Sequence, residues 1–535
     1  MKKLTVYAFA FVAMALAMTS CNKDENVVTD TINASLEDNE IMNDAKMHQV
    51  GTTNYFDEND RVRFIDQSGR AAIYSASTTG STVKFNFVQN VNNASAFNAQ
   101  NGPIVGIFPW NIGTGARKVT LPRVQNSVSG EIYKQFPLYA EDVLSDNYIF
   151  RNLCGVARLV VTADVAIDSI SITTDQYVNG EFDIDMTDSE NPALIGRTNG
   201  HATKTVTMKI SNPVVPAANV YSIALPPAEY NVFNITFYSG NTQYVKHSPA
   251  PVIPILRHLY TTINVNLTGV TFTTNPVGTV NGEFAVSATQ NVRFAKGNLQ
   301  YIAFKAQPFW QFANNQWDCL DILSQRQDYS GDRDLISWGA NRYNVANNSV
   351  AGNAGNAYTI WNRGGAYSYL PGTDDLAGIN DWGSNPIENG GNGAWRTLTA
   401  GEWDYLLNTR DGQRFLNAQL TIGTESVKGL IIFPNNYTTN YASVNDVNGA
   451  YVTITLSDWF TMEDGGCVFL PANNYGRDAT GRNHFVETGD MSYYWSATAD
   501  SDTEANAVKV SKTAGMSAEV IAKRCGAYIR LVQNI

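Results

Sequence analysis

Tryptophan is nearly missing from the first 300 residues, where Trp110 stands alone, while the others all fall between Trp310 and Trp495. That break in texture implies two different kinds of domain in one chain. Histidine is scarce and scattered, at His48, His201, His247, His258 and His484, with no His-Glu-x-x-His and no i,i+4 pair. Gly-x-Ser-x-Gly and the phosphate loop are also missing, so no pattern of catalytic chemistry is present. The five cysteines include no C-x₂-C pair, which excludes a zinc ribbon and a dense disulfide framework. Positive charge is in deficit, with 37 Lys and Arg against 49 Asp and Glu, for a net charge of −12. Nucleic acid and a polybasic membrane grip both need clustered cations, and this chain offers neither.

Only one apolar run stands out, Leu4 to Met18, after Lys2 and Lys3, and it is too short to cross a bilayer comfortably. It ends in Met18-Thr19-Ser20-Cys21. Small residues directly before a cysteine resemble the lipobox of bacterial lipoproteins; the alternative is a general secretory signal with an incidental cysteine. The resemblance implies that residues 1–20 are removed, that Cys21 carries lipid, and that the partner there is outer-membrane lipid. Two or three acyl chains suffice to hold a protein to a membrane, since each buried CH₂ contributes roughly 0.8 kcal/mol. The acidic Asn22-Lys23-Asp24-Glu25-Asn26 that follows resembles the signal that sends Bacteroides-type lipoproteins to the outer face of the outer membrane. A solvated linker would be acidic as well. Residues 21–47 are polar without a sustained period and are expected to form a flexible linker, with structure beginning near His48.

At 535 residues the chain exceeds what one core usually serves. From His48 to about residue 270 it reads as short strands of period two, such as Thr82–Val88, Thr205–Ile210 and Thr261–Leu267. Half-buried strands at this spacing favour antiparallel β-sandwiches, here two of them, at residues 48–146 and 147–270. Ile107-Phe108-Pro109-Trp110, Val119-Thr120-Leu121-Pro122, the segment Phe150–Val161 and Ile223–Tyr230 resemble landmarks of the fimbrillin-like family of Bacteroides-type surface proteins. That resemblance implies transthyretin-like sandwiches and assembly with other fimbrial subunits, in which an Arg-directed protease removes a first strand and a neighbour supplies a donor strand. Arg61, Arg63 and Arg70 are the candidate processing positions.

Residues 271–535 change character. Glu283–Val286 and Asn291–Phe294 predict a hairpin, and a long Asn/Gly-rich passage follows that is too aromatic for disorder. Thr399-Ala400-Gly401-Glu402 has capping-box spacing, with Trp403, Leu406 and Leu407 on one face and Gly412 placed to end the helix. A second helix is expected around Asp458–Glu463. Strands are expected at Gly429–Phe433, Cys467–Leu470, Tyr493–Ser496, Ala507–Val510 and Tyr528–Val532, completing an α+β unit after the β-sandwiches in a chain that is mainly β. Trp395-Arg396-Thr397-Leu398, Val468–Ala472, Tyr494-Trp495-Ser496-Ala497 and Tyr528–Val532 resemble surface-protein domains of C-type-lectin-like fold, a scaffold shared with formylglycine-generating enzymes.

Such a scaffold serves binding and oxidation alike. The calcium-coordinating triplets of sugar lectins are missing, and Asp328, Asp332 and Asp334 do not follow a calcium loop, a solvated acidic turn being the simpler reading. No metal or other cofactor is expected. Cys467 and Cys525 do not match the reactive pair of the oxidising enzymes; they form a candidate disulfide or remain buried thiols. Recognition is expected on the irregular loops, with Trp361, Tyr367, Tyr369, Asn473, Asn474, Arg477 and Arg482 as candidate ligand-binding residues. Trp338, Trp382, Trp395 and Trp495 belong instead to the framework. The resulting expectation is a non-catalytic, lipidated surface adhesin or fimbrial protein, at a tip position, that binds a host or bacterial surface glycan or protein. The alternative is a monomeric glycan-binding lipoprotein of a nutrient-uptake system.

Overall fold

The computed structural model describes residues 31–37, 48–50, 53–91, 96–99, 102–127, 137–142, 147–196, 202–248, 252–274, 277–302, 309–320, 332–340, 369–391, 394–447, 449–472, 491–511 and 515–535. The chain is mainly β and divides into two compact units. Unit 1 is drawn from Met1–Val119, Lys134–Leu153 and Met186–Pro192; unit 2 from Thr120–Tyr133, Cys154–Asp185 and Ala193–Ile535.

Seven strands of unit 1 close into a ring. They are β1 (Thr31–Leu36), β2 (Arg61–Ile65), β3 (Ala71–Ala76), β4 (Thr82–Asn90), β5 (Ile104–Phe108), β6 (Leu138–Asp142) and β7 (Tyr148–Asn152), in the order β1-β7-β6-β5-β2-β3-β4 and back to β1. Every neighbouring pair is antiparallel except β1 with β7. Alternation sends Phe64, Phe85 and Phe150 to the interior, where with Phe56 they meet edge to face at centroid separations of 5.2 to 6.4 Å. Gly106 of β5 faces this cluster, and a Cβ there would lie 2.6 Å from Phe150 and 2.9 Å from Phe64. Glycine is thus required by the rings opposite it.

The strand Thr31–Leu36 corrects the expectation that residues 21–47 form a linker throughout. Thr-Ile-Asn-Ala-Ser-Leu places Ile32, Ala34 and Leu36 on one face, a period-two signal only six residues long. So short a signal is not self-sufficient; the barrel gives it a place.

In unit 2 the first part is a two-sheet core. Strands β8 (Gly155–Ala163), β11 (Ala217–Leu225) and β14 (Tyr260–Leu267) form one sheet. Strands β9 (Ser169–Thr174), β10 (Thr205–Ile210), β12 (Phe233–Ser239) and β13 (Thr242–Lys246), with Val124–Ser127, form the other. Leu159, Ile172, Met208 and Ile223 pack between them. The pairs β8·β14 and Val124–Ser127·β10 are parallel, which an all-antiparallel expectation misses.

The second part of unit 2 opens with the expected hairpin, β15 (Phe284–Ala285) and β16 (Asn291–Phe294). It shares a sheet with β17 (Trp395–Arg396) and with β25 (Val532–Asn534), whose residues pair with β16 on one side and β17 on the other. Helix α1 (Ala400–Asp404) has the expected capping box at Thr399 and Glu402 and runs on as a π-turn over Tyr405–Thr409. A second sheet holds β18 (Phe415–Ile422), β19 (Glu425–Ile432), β20 (Val452–Ile454) and β21 (Val468–Pro471), with α2 (Leu456–Asp464) against it. A third holds β22 (Met491–Ala499), β23 (Glu504–Ser511) and β24 (Gly515–Ala522). The expected strand Tyr528–Val532 is extended but shared: Tyr528 bridges Tyr494, Ile529 and Leu531 accept amides from Leu299 and Ala295, and only the β25 portion joins a ladder.

Replacing Gly106 by alanine should destabilise unit 1 by about 1–3 kcal/mol through overpacking. Thermal unfolding with hydrogen exchange resolved by segment should show faster exchange in β2, β5 and β7, and unchanged protection in β18 and β19.

Candidate functional site

In unit 1 the strand β1 completes the ring from a position remote in sequence. It pairs with β4 from Thr31↔Asn86 to Ser35↔Thr82, and with β7 from Ala34↔Tyr148 to Leu36↔Phe150. Ile32 and Ala34 are buried and Leu36 packs against the same cluster, while Asn33 is exposed. Its far end is held by polar contacts. The Asn147 side-chain amide donates to Ser35 Oγ at 2.8 Å, and Glu37 Oε1 accepts from the Asn152 backbone N at 2.7 Å and from Asn152 Nδ2 at 2.8 Å.

The three candidate processing arginines differ sharply in setting. Arg61 is exposed and opens β2, at the last rung of its ladder with β3, where strands fray. Arg63 is half-buried and donates to Gly113 O at 2.6 Å; burial pulls its guanidinium below the usual range. Arg70 donates through Nε to Asp66 Oδ2 at 2.7 Å, and Asp66 is fully buried. A cut after Arg63 or Arg70 would detach Val62 or all of β2, a strand with a neighbour on each side. A cut after Arg61 would free β1 and leave β2 nearly whole. Next to it, Asp60 is raised to about 6, chiefly because its carboxyl is removed from water, with the Asp57 amide opposing and the Asp57 charge adding. Cys21 lies outside the described residues.

In the second part of unit 2 the framework tryptophans are buried, and each indole N–H donates to a carbonyl. Trp338 reaches Ser496 O, Trp382 reaches Ala340 O and Trp395 reaches Gly390 O, each at 2.9 Å; Trp495 reaches Ile336 O at 2.7 Å. Tyr369 is half-buried beside Leu370, whose amide donates to Trp338 O. Trp361, Tyr367, Asn473, Asn474, Arg477 and Arg482 lie outside the described residues. Arg530, buried among these segments, donates to Ala295 O, Gln316 O and Phe469 O, and burial lowers it to about 10. It ties three backbone segments by a charge to which, among the described residues, no carboxylate is hydrogen-bonded.

Cys467 and Cys525 are not a disulfide. Both are free and buried, Cys467 in the cluster with Trp459 and Phe469, and Cys525 in that with Trp338 and Trp495. Burial pushes the Cys467 thiol up to about 12, the opposite of what a reactive thiolate needs. Among the described residues no group of three or more His, Cys, Asp or Glu is placed to hold a metal ion. Asp334, one of the acids considered for calcium, is fully buried and accepts the Leu320 amide at 2.7 Å, while Asp328 lies outside the described residues. No helix among the described residues is long and apolar enough to cross a membrane.

Sequence reasoning also missed the seam that joins the two parts of unit 2. Lys204 Nζ lies 2.6 Å from Asp318 Oδ1, and Asp318 Oδ2 accepts the Asn315 backbone N and Nδ2, both at 3.0 Å. Asn315 Nδ2 also donates to Thr174 O at 2.9 Å. Burial alone would lower the Lys204 amine; the Asp318 carboxylate, with Tyr177 and Asp175 adding, carries it above its usual range. Val232 enters the cluster of Trp317 and Leu416, His247 stacks on Phe460 at 4.3 Å with Nε2 3.0 Å from Asp464, and Arg123 sits 4.2 Å over Phe309. No local pattern marks these residues, since their partners lie on average more than a hundred positions away.

Two tests follow from this geometry. Folding favours the neutral form of Asp60, so its contribution is most favourable below pH 4, is lost as pH rises from about 4 to 6, and stays lost above. Asp60→Asn should therefore leave stability unchanged near pH 4 and raise it at pH 7.5 by about 1–2 kcal/mol after allowance for screening, read as the difference in Tm. Asp318→Ala, which leaves the Lys204 amine without its nearest carboxylate, should cost about 2–4 kcal/mol, and Lys204→Met with Asp318→Leu should recover most of it.

No family model and no curated protein matches the chain. Solved structures are similar to it at low identity. A candidate cell adhesion protein from Bacteroides ovatus matches 45% of this chain and 93% of its own, at 14% identity and a TM-score of 0.29. A fimbrial protein from the same species matches 95% of this chain and 99% of its own, at 10% identity and a TM-score of 0.21. A fimbrial assembly protein from Parabacteroides distasonis matches 50% and 94%, at 8% identity and a TM-score of 0.22.

Proposed function

We propose that this chain is a non-catalytic subunit of a surface fimbria or an adhesin, held in a barrel closed by an exchangeable first strand. One observation carries the reading: β1, which is next in sequence to neither of its partners, lies between β4 and β7 and is followed by an exposed arginine at the mouth of β2. Cutting there would leave two unpaired strand edges facing each other across a slot. Such edges take an incoming strand through backbone hydrogen bonds, with alternate side chains filling the pockets left behind.

The anchored precursor would be held by lipid on Cys21 at the outer face of the outer membrane, and the processed form would join other fimbrial subunits. The second part of unit 2 is proposed as the lectin-like ligand-presenting part. Its strands β16 and β25 share a sheet, and Trp361, Tyr367, Tyr369, Asn473, Asn474, Arg477 and Arg482 are proposed as the contacts for a surface glycan or protein. A tip position agrees with the setting of β25, which is paired on both sides and cannot be handed to a neighbour without opening its own sheet.

Limited digestion of the purified chain with an arginine-specific protease tests this. The expected first product begins at Val62, and Arg61→Ala should suppress it at least tenfold while Arg63→Ala and Arg70→Ala should not. A first cut at Arg70, or a fragment from unit 2 appearing before any cut at Arg61, would overturn the reading. Growth of long fibres from the processed chain alone would overturn the tip position.

A further inference from the structure

We infer that the β1 slot recognises a strand of defined chemistry: a large apolar residue, a small one and a second large apolar residue at alternate positions, followed at once by a carboxylate. The inference rests on the reading of β1 as exchangeable and specifies what the slot accepts. The occupant is an extended segment of another polypeptide that runs antiparallel to β4 and parallel to β7, as β1 does.

Three features of the slot set this code. The first is size. Ala34 is fully buried and sits between two larger partners, Val83 on β4 and Tyr148 on β7. Side chains on paired residues share a face, so Val83 and Tyr148 flank the Ala34 methyl, and a Leu or Phe there would have to displace one of them. Ile32 and Leu36, on either side, pair with Phe85 and Phe150 and reach the aromatic interior. The second is polarity of direction. The amide of Leu36 donates to Ser81 O at 3.0 Å and that of Glu37 to Phe150 O at 2.9 Å, so the strand leaves the slot bonded to both walls at once. A reversed strand would place its donors out of step with the two walls.

The third feature is the carboxylate clamp. Glu37 Oε1 accepts both the backbone N and Nδ2 of Asn152, and Asn152 is 2% exposed. A strand without an acceptor at this position would lose both of these bonds to Asn152, each charge-assisted by the carboxylate, and should bind at least tenfold less well. Of the outward positions, Ser35 accepts from Asn147, whereas Asn33 is exposed and its side chain makes no part of the code.

The test has two arms. In the intact chain, Ala34→Leu and Glu37→Ala should each raise amide exchange in β1 and its β4 and β7 partners at least tenfold, while Asn33→Lys should leave it unchanged. Equal exchange in all three variants would overturn the code, whatever becomes of β1 in assembly. In the second arm the chain is cut after Arg61, and a fluorescent peptide of residues 29–40 is added, alone or against unlabelled peptides carrying the same substitutions. The expected result is uptake of the native peptide, with the Ala34→Leu and Glu37→Ala peptides competing at least tenfold less well than the Asn33→Lys peptide. Competition that follows peptide length alone overturns the code. No uptake of the native peptide, with the first arm positive, overturns exchangeability and leaves the code as a description of how β1 is retained.

Discussion

A β-strand leaves two rows of backbone donors and acceptors that must be met, and closure of the ring in unit 1 depends on six residues meeting both rows at once. Thr31–Leu36 bonds to β4 on one side and β7 on the other, so neither wall has a free edge while it is present. The aromatic interior reinforces this condition. Phe85 and Phe150, the residues beside Ile32 and Leu36, are packed edge to face with Phe56 and Phe64, so the strand adjoins the most tightly interlocked part of the core. A short strand with modest apolar content therefore completes one side of a large buried cluster.

Unit 2 answers a different constraint. Its two parts have separate cores, and the seam between them is built from groups that are individually costly to bury: an amine, a carboxylate, an amide and an imidazole. The amine, the carboxylate and the amide are tolerated because each is answered, and the imidazole meets Asp464 through Nε2. Asp318 serves Lys204 and Asn315 together, and Asn315 passes the connection to the Thr174 carbonyl on β9. Polar contacts of this kind fix register more than they add stability, whereas Val232 inserted beside Trp317 supplies the apolar part. Arg530 does comparable work inside the second part, where backbone carbonyls from three segments surround its guanidinium.

Much of this was legible in the sequence where the cause is local. The Thr399–Glu402 capping box, the hairpin before Phe294 and the strand Thr205–Ile210 all depend on residues within a few positions of one another. The burial of Trp338, Trp382, Trp395 and Trp495 was expected from the resemblance of their segments to a lectin-like framework. What escaped depends on distant partners. Thr31–Leu36 looked like linker because its polar flanks outweigh three alternating apolar residues, and Cys467 and Cys525 looked pairable because spacing cannot show that different clusters enclose them. Tyr528–Val532 read as one strand, yet its residues are divided among neighbours from three parts of the chain.

The seam in unit 2 has a mechanical meaning. Val232, His247, Lys204 and Arg123 each contact the second part at a different place, beside the strands β12, β13, β10 and Val124–Ser127, so the seam is a set of parallel attachments to one sheet and not a single hinge. Force on the second part would then be shared among these contacts and the strands beside them, much as a nailed plank shares a load that a single hook would have to take alone.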